Sequence, residues 1–396
     1  MGNRMTQKTN PVAVLQSLIR CPSVTPKDAG VLAALEAVLA PAGFECTRLP
    51  FSDKNTPDVD NLFARLGSTG PHLCFAGHVD VVPTGDEALW RDPPFDAVIR
   101  DGVLYGRGAC DMKGSVAAFA AAAVDVATEY GGKLPGSVSL LITGDEEGPA
   151  INGTVKMLQW LKDNNQIPDE CLVGEPTCSK TFGDTIKIGR RGSITFTVVA
   201  KGVQGHAAYP HLSLNPIPIL ARLIDRLTSK SLDGGTAQFD PSTLAVSTFD
   251  VGNPAANVTP ERASTTFNIR FNTEHSADSL KILIKKHCDE VQDEMGGEFE
   301  ISSVVGAECF LGNPGPLLSY VQRALNDEAG TEAHLSTSGG TSDARFIKNY
   351  CPVIEFGPTN KTIHQIDECL AIEELEALTR VYKQVIKSYL SGATAL

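Results

Sequence analysis

The apolar positions along the chain change period in a way that divides it into two textures. Over residues 10–170, strand-length apolar runs alternate with segments of helical period. Residues 11–20, 31–40, the alanine-rich 115–130 and 154–163 read as helices, and 61–66, 72–75, 137–143 and 170–173 as strands. This alternation predicts an α/β fold with a mostly parallel mixed sheet flanked by helices. From about Gly192 the order becomes a strand at 193–200, a helix at 216–227, strands at 244–251 and 263–271, a helix at 277–293 and a strand at 298–304. That is the order of a small two-layer α+β domain. The first texture then resumes with a helix at 316–328, a strand at 352–356 and an amphipathic helix at 372–390. The expected organisation is a larger domain in two pieces, 1–191 and 305–396, interrupted by an inserted α+β domain at 192–304.

Composition adds constraints. At 396 residues the chain is about two to three times the usual single-domain size, so two cores are the default. Hydrophobic residues at 42% and charged residues at 20% suit a folded globular protein and exclude a disordered one. Asp and Glu outnumber Lys and Arg by 47 to 34, for a net charge of -13 with no offsetting basic run, which argues against nucleic acid as a partner. A site for an anionic small molecule in such a chain needs its own arginines or metals. No stretch reaches the roughly 18 uninterrupted apolar residues of a membrane span, and the polar start lacks the apolar core of a signal peptide. Gly2 to Thr6 fits the loose Gly-x-x-x-Ser/Thr pattern of N-myristoylation, a short pattern that recurs by chance. The ten cysteines are scattered without a Cys-x-x-Cys, so reduced thiols, a cytoplasmic location and no membrane partner are expected.

Five segments carry the chemistry. Phe75-Ala-Gly-His-Val-Asp places His78 and Asp80 two residues apart beyond a strand, so on one side of the chain if it stays extended. A carboxylate at that offset can orient the second ring nitrogen of a metal-binding histidine, although a polar loop holding both is the plainer alternative. Asp111 lies in the glycine-rich turn before the alanine-rich helix, either as an N-cap or as a ligand. The turn lacks the third small residue of a dinucleotide fingerprint. Asp145-Glu146-Glu147 ends an apolar strand between glycines, concentrating repulsion that a cation would relieve. Because adjacent side chains diverge, one glutamate can ligate while the other moves protons. Glu175 ends another strand, and His364 follows the strand at 352–356. Open parallel sheets build their sites at the carboxyl ends of strands. A set of imidazoles and carboxylates without thiolate suits zinc, with cobalt or manganese as substitutes, and is large enough for two ions sharing a bridging carboxylate.

The order and wording of these segments resemble the zinc-dependent deacylase and exopeptidase superfamily that includes carboxypeptidase G-type enzymes, aminoacylase and acetylornithine deacetylase. The resemblance runs from near residue 10 to near 390. It rests also on Asp101-Gly-Val-Leu-Tyr-Gly-Arg-Gly-Ala109, Ile188-Gly-Arg-Arg-Gly-Ser193, Gly205-His-Ala-Ala-Tyr-Pro-His211 and, most discriminating, Ser336-Thr-Ser-Gly-Gly-Thr-Ser-Asp-Ala-Arg345. It implies a zinc exopeptidase-like catalytic domain with a lid and dimerisation insert, and two Zn²⁺ per subunit. His78 and Glu175 would hold one ion, Glu147 and His364 the other, and Asp111 would bridge them. Glu146 is then the general base, Asp80 supports His78, and His206, supplied across a homodimer, completes the catalytic set.

The activity implied is hydrolysis of N-succinyl-LL-2,6-diaminopimelate to succinate and LL-2,6-diaminopimelate in diaminopimelate and lysine biosynthesis. That substrate carries several carboxylates. Arg190, Arg191 and Arg270, with Ser193, Tyr209, Asn257, Gly340, Thr341 and Asn360, are the candidate clamp, since guanidinium forks bind carboxylates at two points. Arg190 and Arg191, being adjacent, are expected to diverge. The alternatives are an acetylornithine deacetylase or related N-acyl amino acid deacylase, and a non-catalytic binding protein on the same fold. A serine or cysteine hydrolase is disfavoured because the chain has no Gly-x-Ser-x-Gly elbow. His72, His211, His275, His287 and His334 are expected to be structural.

Overall fold

The computed structural model describes residues 8–392 and divides into two compact units. The pattern at 2–6 lies outside the described residues. The first unit comprises the chain up to Ile188, Gly312–Ser336 and the residues from Ser342 onward; the second is Gly189–Leu311 with Thr337–Thr341.

The first unit is built on an eight-stranded mixed sheet. Its strand order is Glu45–Arg48, Leu62–Leu66, Ser137–Thr143, His72–His78, Glu170–Val173, Val353–Glu355, Thr185–Lys187 and His334–Ser336. The four strands from Ser137–Thr143 to Val353–Glu355 run parallel to one another, and Leu62–Leu66 and Thr185–Lys187 flank them antiparallel. The parallel strands are buried almost throughout, which explains why they read as apolar runs rather than alternations. Helix Lys113–Glu129 has thirteen buried residues. Its alanines leave room for close packing against helices Pro11–Ile19 and Ile372–Leu390. Phe75 stacks on Phe119 with centroids 4.4 Å apart, and the Tyr382 hydroxyl donates to the Phe356 carbonyl at 2.7 Å. Lys113 is wholly buried and donates to the carbonyls of Leu18 and Cys21 at the end of the first helix. Among the described residues no helix is long and apolar enough to cross a membrane.

The second unit is a four-stranded antiparallel sheet in the order Thr243–Asp250, Arg262–Phe271, Gly192–Lys201, Glu298–Ala307. Alternate residues of the central strands, including Ile194, Phe196, Val198, Phe267 and Ile269, pack on Leu220 and Leu223 of helix Pro216–Thr228 and Leu280 and Ile284 of helix Ala277–Met295. The two-residue alternation along 192–201 is what made this sheet readable. Gly192 is dictated by packing, since a Cβ there would fall 2.2 Å from the Phe271 ring.

Asn61 connects the first sheet to the loop beyond Thr143. Wholly buried, it accepts from the Thr143 hydroxyl at 2.8 Å and the Gly144 amide at 3.3 Å. It also donates to the carbonyls of Leu49 and Asn152 at 3.0 and 2.9 Å. Replacing it strands several buried polar groups at once, and each such group costs on the order of 1–3 kcal/mol. Asn61→Ala is expected to lower unfolding stability by about 2–4 kcal/mol, read as a shift in the urea midpoint at constant slope. A loss below about 0.5 kcal/mol would show that water replaces these bonds freely.

Candidate metal centre

The ligand candidates other than Asp111 leave the same edge of the first sheet. His78 is the last residue of its strand rather than lying beyond it, because the ladder with Ser137–Thr143 continues to the His78–Thr143 pair. Glu146 and Glu147 follow the strand ending at Thr143, Glu175 follows the one ending at Val173, and His364 lies in the loop after Val353–Glu355. Asp111 sits in the turn before helix Lys113–Glu129.

The side chains converge on Asp111. Its Oδ1 is 3.2 Å from His78 Nε2 and its Oδ2 is 3.2 Å from His364 Nε2. His364 Nε2 is also 2.8 Å from Glu147 Oε1, and His78 Nε2 is 3.9 Å from Glu175 Oε1. Potential ligand atoms of His78, Asp111 and Glu147 lie within 4.8 Å of one another, as do those of His78, Glu146 and Glu175. The donor set is nitrogen and oxygen only. Cys110, next to Asp111, is buried and its thiol is pushed well up by burial and by the charges of Glu368 and Asp111, which keeps it from acting as a thiolate.

Asp80 acts differently from expectation in one respect. His78 Nδ1 bonds the Asp80 backbone carbonyl at 2.9 Å, with the nearer carboxylate oxygen at 3.7 Å. The Asp80 carboxylate instead accepts from the amides of Glu146 and Glu147 at 3.3 and 3.0 Å. It therefore fixes the backbone from which both glutamates project, while the peptide carbonyl sets the tautomer of His78.

The electrostatics describe a centre that needs positive charge. Burial opposes protonation of His78, but the hydrogen bond to Asp111 and the charges of Asp111, Asp80 and Glu146 outweigh it and raise its pKa well above 6.5. Hydrogen bonds to Asp111 and Glu147 carry His364 to about 10. Burial alone would raise Asp111, yet the bonds from His364 and His78 hold it below the usual carboxylate range. Glu146 is raised to about 8 by burial and by the charges of Asp343, Glu147 and Asp111, against the opposing pull of His78. Burial likewise lifts Asp80 to about 6. With protons as the only counterions, both imidazoles are held as cations between carboxylates. Those shared-proton positions are where divalent cations would sit, so the residues fit a pair of metal ions.

Asp145, Asp343 and Glu368 carry roles that their sequence contexts do not assign to them individually. Buried Asp145 accepts from the amides of Ile151 and Asn152 and shapes the loop after Glu147. Buried Asp343 accepts from the Thr154 hydroxyl at 2.5 Å, and its place in the 336–345 stretch was the available signal. Glu368 had no local signal at all.

The remaining candidates, apart from Asn360, belong to the second unit. His206 and Asn257 share a two-stranded ribbon, Gly205–His206 with Val258–Thr259, and the Ala207 amide donates to the Asn257 carbonyl at 2.9 Å. His206 is exposed, its Nδ1 accepts from the Ala208 amide, and its ring is 5.6 Å from that of Tyr209. Ser193 and Arg270 are cross-strand partners. Arg190 is buried and donates to the Gly340 carbonyl at 2.9 Å, whereas Arg191 is partly exposed. Gly339 has a φ of +100°, and a Cβ there would lie 3.0 Å from Arg190 Nη1, so the turn requires glycine. Thr341 closes this segment, and Asn360 is exposed in the first unit. His72, by contrast, is buried against the Ser139 hydroxyl at 2.7 Å, with burial lowering its pKa to about 4, as befits a structural histidine.

A mixed sheet presenting two imidazoles and a set of carboxylates at the ends of its parallel strands defines a metal-dependent hydrolase. The chain belongs to peptidase family M20/M25/M40, whose sequence profile matches residues 74–388. Among individual proteins it is 53% identical over 384 residues to the succinyl-diaminopimelate desuccinylase of Rhodospirillum centenum, covering 97% of this chain and 98% of that one. It is 50% identical over 383 residues to the enzyme of the same name from Parvibaculum lavamentivorans, covering 97% and 96%. The fold is shared with a Staphylococcus aureus tripeptidase at TM-score 0.76 and 21% identity, covering 98% of this chain and 100% of that one. It is shared as well with a Bacillus subtilis protein described as a dinuclear metal binding peptidase, at TM-score 0.71 and 15% identity, covering 96% and 98%.

Two of the shifts act in the same direction on stability. His364 is raised from 6.5 to about 10, so the stabilisation from its protonated form is complete below pH 6.5 and is lost as pH rises through about 10. Glu146 is raised from 4.5 to about 8, so ionising it in the fold is unfavourable, and stability again falls as pH rises through about 8. The metal-stripped protein should therefore show a melting temperature that declines between pH 6.5 and 10, with the metal-loaded protein flatter over that window. Scanning calorimetry of both forms reads this directly, and a flat or rising profile for the stripped protein contradicts it.

Proposed function

We propose that this chain hydrolyses the amide bond of N-succinyl-LL-2,6-diaminopimelate, releasing succinate and LL-2,6-diaminopimelate, as a cytoplasmic homodimer with two Zn²⁺ per subunit. The observation that carries the reading is Asp111 held between His78 and His364 with Glu147 and Glu175 alongside. The similarity to proteins named for this activity at about half identity over nearly the full length supports the choice of substrate.

His78 and Glu175 would hold one ion and Glu147 and His364 the other, with Asp111 facing both histidines. Zinc suits this oxygen and nitrogen donor set, and cobalt or manganese can replace it. A bound ion pair supplies Lewis-acid polarisation of the amide carbonyl and lowers the pKa of water toward neutrality. Glu146, beside the ligands and partly shielded from solvent, takes a proton from the attacking water as its oxygen bonds to the carbonyl carbon. The same carboxyl then delivers that proton to the departing nitrogen as the C–N bond breaks, so the products are a carboxylate and an amine. His206 of the partner subunit donates to the tetrahedral oxyanion. Arg190, Arg191, Arg270, Ser193, Tyr209, Asn257, Gly340, Thr341 and Asn360 receive the substrate carboxylates, with Arg190 preset by its bond to Gly340.

Turnover of succinyl-diaminopimelate should exceed that of acetylornithine under identical conditions and disappear on thorough chelation, returning with Zn²⁺ or Co²⁺. Faster cleavage of acetylornithine would transfer the assignment to a smaller acyl group, and activity that survives chelation would remove the metal mechanism. Glu146→Ala should keep two metals and lose at least about 10³-fold in kcat, whereas His364→Ala should lose one metal equivalent. Metal analysis alongside kinetics separates the roles, and equal metal loss in both variants would exchange them. Mixing His206→Ala subunits with Glu146→Ala subunits should restore partial activity through one intact composite site. No recovery in demonstrated heterodimers counts against sharing.

A further inference from the structure

Asp111 is not carried by a strand. It ends the turn running from Gly106, and what fixes that turn comes from far along the chain. Glu368 is wholly buried and both of its oxygens are fully used. Oε2 accepts from Arg107 Nη1 at 2.8 Å and from the Gly108 amide at 2.9 Å. Oε1 accepts from the amides of Cys110 at 3.0 Å and Asp111 at 3.1 Å. The contact is reciprocal, since the Gly106 amide donates to the Glu368 carbonyl at 2.9 Å and Arg107 Nη1 also reaches the Gln365 carbonyl at 3.1 Å. Arg107 is itself buried, stacked over Trp90 at 5.1 Å. The antiparallel pairing of Cys369–Ala371 with Val103–Tyr105 places the two loops side by side, one leaving at Tyr105 and the other arriving at Cys369.

The arriving loop carries His364. Its side chain is 46% exposed and its backbone has a φ of +57°, so the ring has little packing to hold it. Its position is inherited from the loop, which Thr362 closes through the Cys369 amide and carbonyl and which Glu368 and Gln365 fasten to the 106–111 turn. His78 and Glu175 are placed differently, in and directly after strands of the parallel sheet.

We propose that Glu368 is a positioning residue that holds Asp111 and His364 in one frame, so that binding of the cation at Glu147, His364 and Asp111 depends on it. The inference rests on the metal assignment proposed above. The carboxylate form is needed because each oxygen accepts from two N–H donors. A glutamine turns an amide NH₂ toward two of those donors and removes the charge paired with buried Arg107. Outer contacts of this type set metal affinity by about 10–100-fold.

The test is calorimetric titration of Co²⁺ into the metal-stripped full chain, with the visible absorbance of bound Co²⁺ as a second signal. Wild type must bind two equivalents; fewer would remove the metal assignment and this inference with it. His364→Ala identifies the equivalent that belongs to Glu147 and His364. In Glu368→Gln that equivalent should weaken about 10–100-fold while the other moves less than about threefold, and Glu368→Asp, which keeps the charge, should fall between. Unchanged affinities, or equal weakening of both equivalents in a protein with a normal unfolding transition, overturn the proposal while leaving the metal assignment intact. If the glutamine variant does not fold, Arg107→Lys takes its place. It keeps the charge and loses the fork to Gln365, so it should weaken the same equivalent, and no change there overturns the proposal.

Discussion

The candidate metal centre of the first unit is organised around one carboxylate facing two imidazoles. Asp111 presents one oxygen to His78 and the other to His364, each at 3.2 Å. The two histidines come from opposite ends of the sequence, one fixed in a buried strand and one in a loop that packing does little to hold. A carboxylate between them must be aimed to within a few tenths of an ångström to serve both, and it must stay ionised where burial disfavours the charge. Much of the surrounding architecture can be understood as meeting those two demands.

The means of aiming recurs. Three buried carboxylates each hold a neighbouring segment by its backbone amides. Asp80 takes the amides of Glu146 and Glu147, Asp145 those of Ile151 and Asn152, and Glu368 those of Gly108, Cys110 and Asp111. Backbone amides are the appropriate donors for this purpose. They carry no titratable proton and cannot rotate away, and they satisfy a buried anion without adding a cation that would compete with metal for the ligands. Charged partners are kept one step back, as with Arg107, which pairs with Glu368 rather than with Asp111. The centre thereby retains its excess negative charge, which is the property a divalent cation requires.

This division also explains what could be read from the sequence. The parallel strands, the helices and the alternation of the second unit follow from local periodicity, and the residues at the strand ends stand out because acids and histidines after apolar runs are conspicuous. Glu368 and Asn61 are invisible at that level. Glu368 acts on residues about 257–261 positions away, and nothing within its own loop distinguishes it from a solvated acid. Two short strands escaped for a related reason. Glu45–Arg48 and Thr185–Lys187 are short and each carries a single apolar residue, so neither forms an apolar run, and pairing decides their conformation. Asp80 shows a third limit, since its spacing from His78 was legible but its use of backbone and carboxylate for different partners was not.

The stretch 336–345 joins these themes. Lys187 donates to the Ser336 hydroxyl in the first unit, while Thr337 donates to the Gln238 carbonyl in the second. Gly340 accepts from Arg190 there, and Ser342 and Asp343 return to the first unit through Glu355 and Thr154. Residues within this stretch thus form hydrogen bonds in each unit, and the chain crosses between units four times, at 188/189, 311/312, 336/337 and 341/342. Such a segment cannot vary as an ordinary surface loop does, because each part answers to a different set of buried partners. Its small residues are accounted for on this basis: Gly339 by its positive φ and the approach of Arg190, and Ser342 by its bond to buried Glu355. The same segment adds charge beside Glu146 through Asp343, which contributes to raising the pKa of that carboxyl.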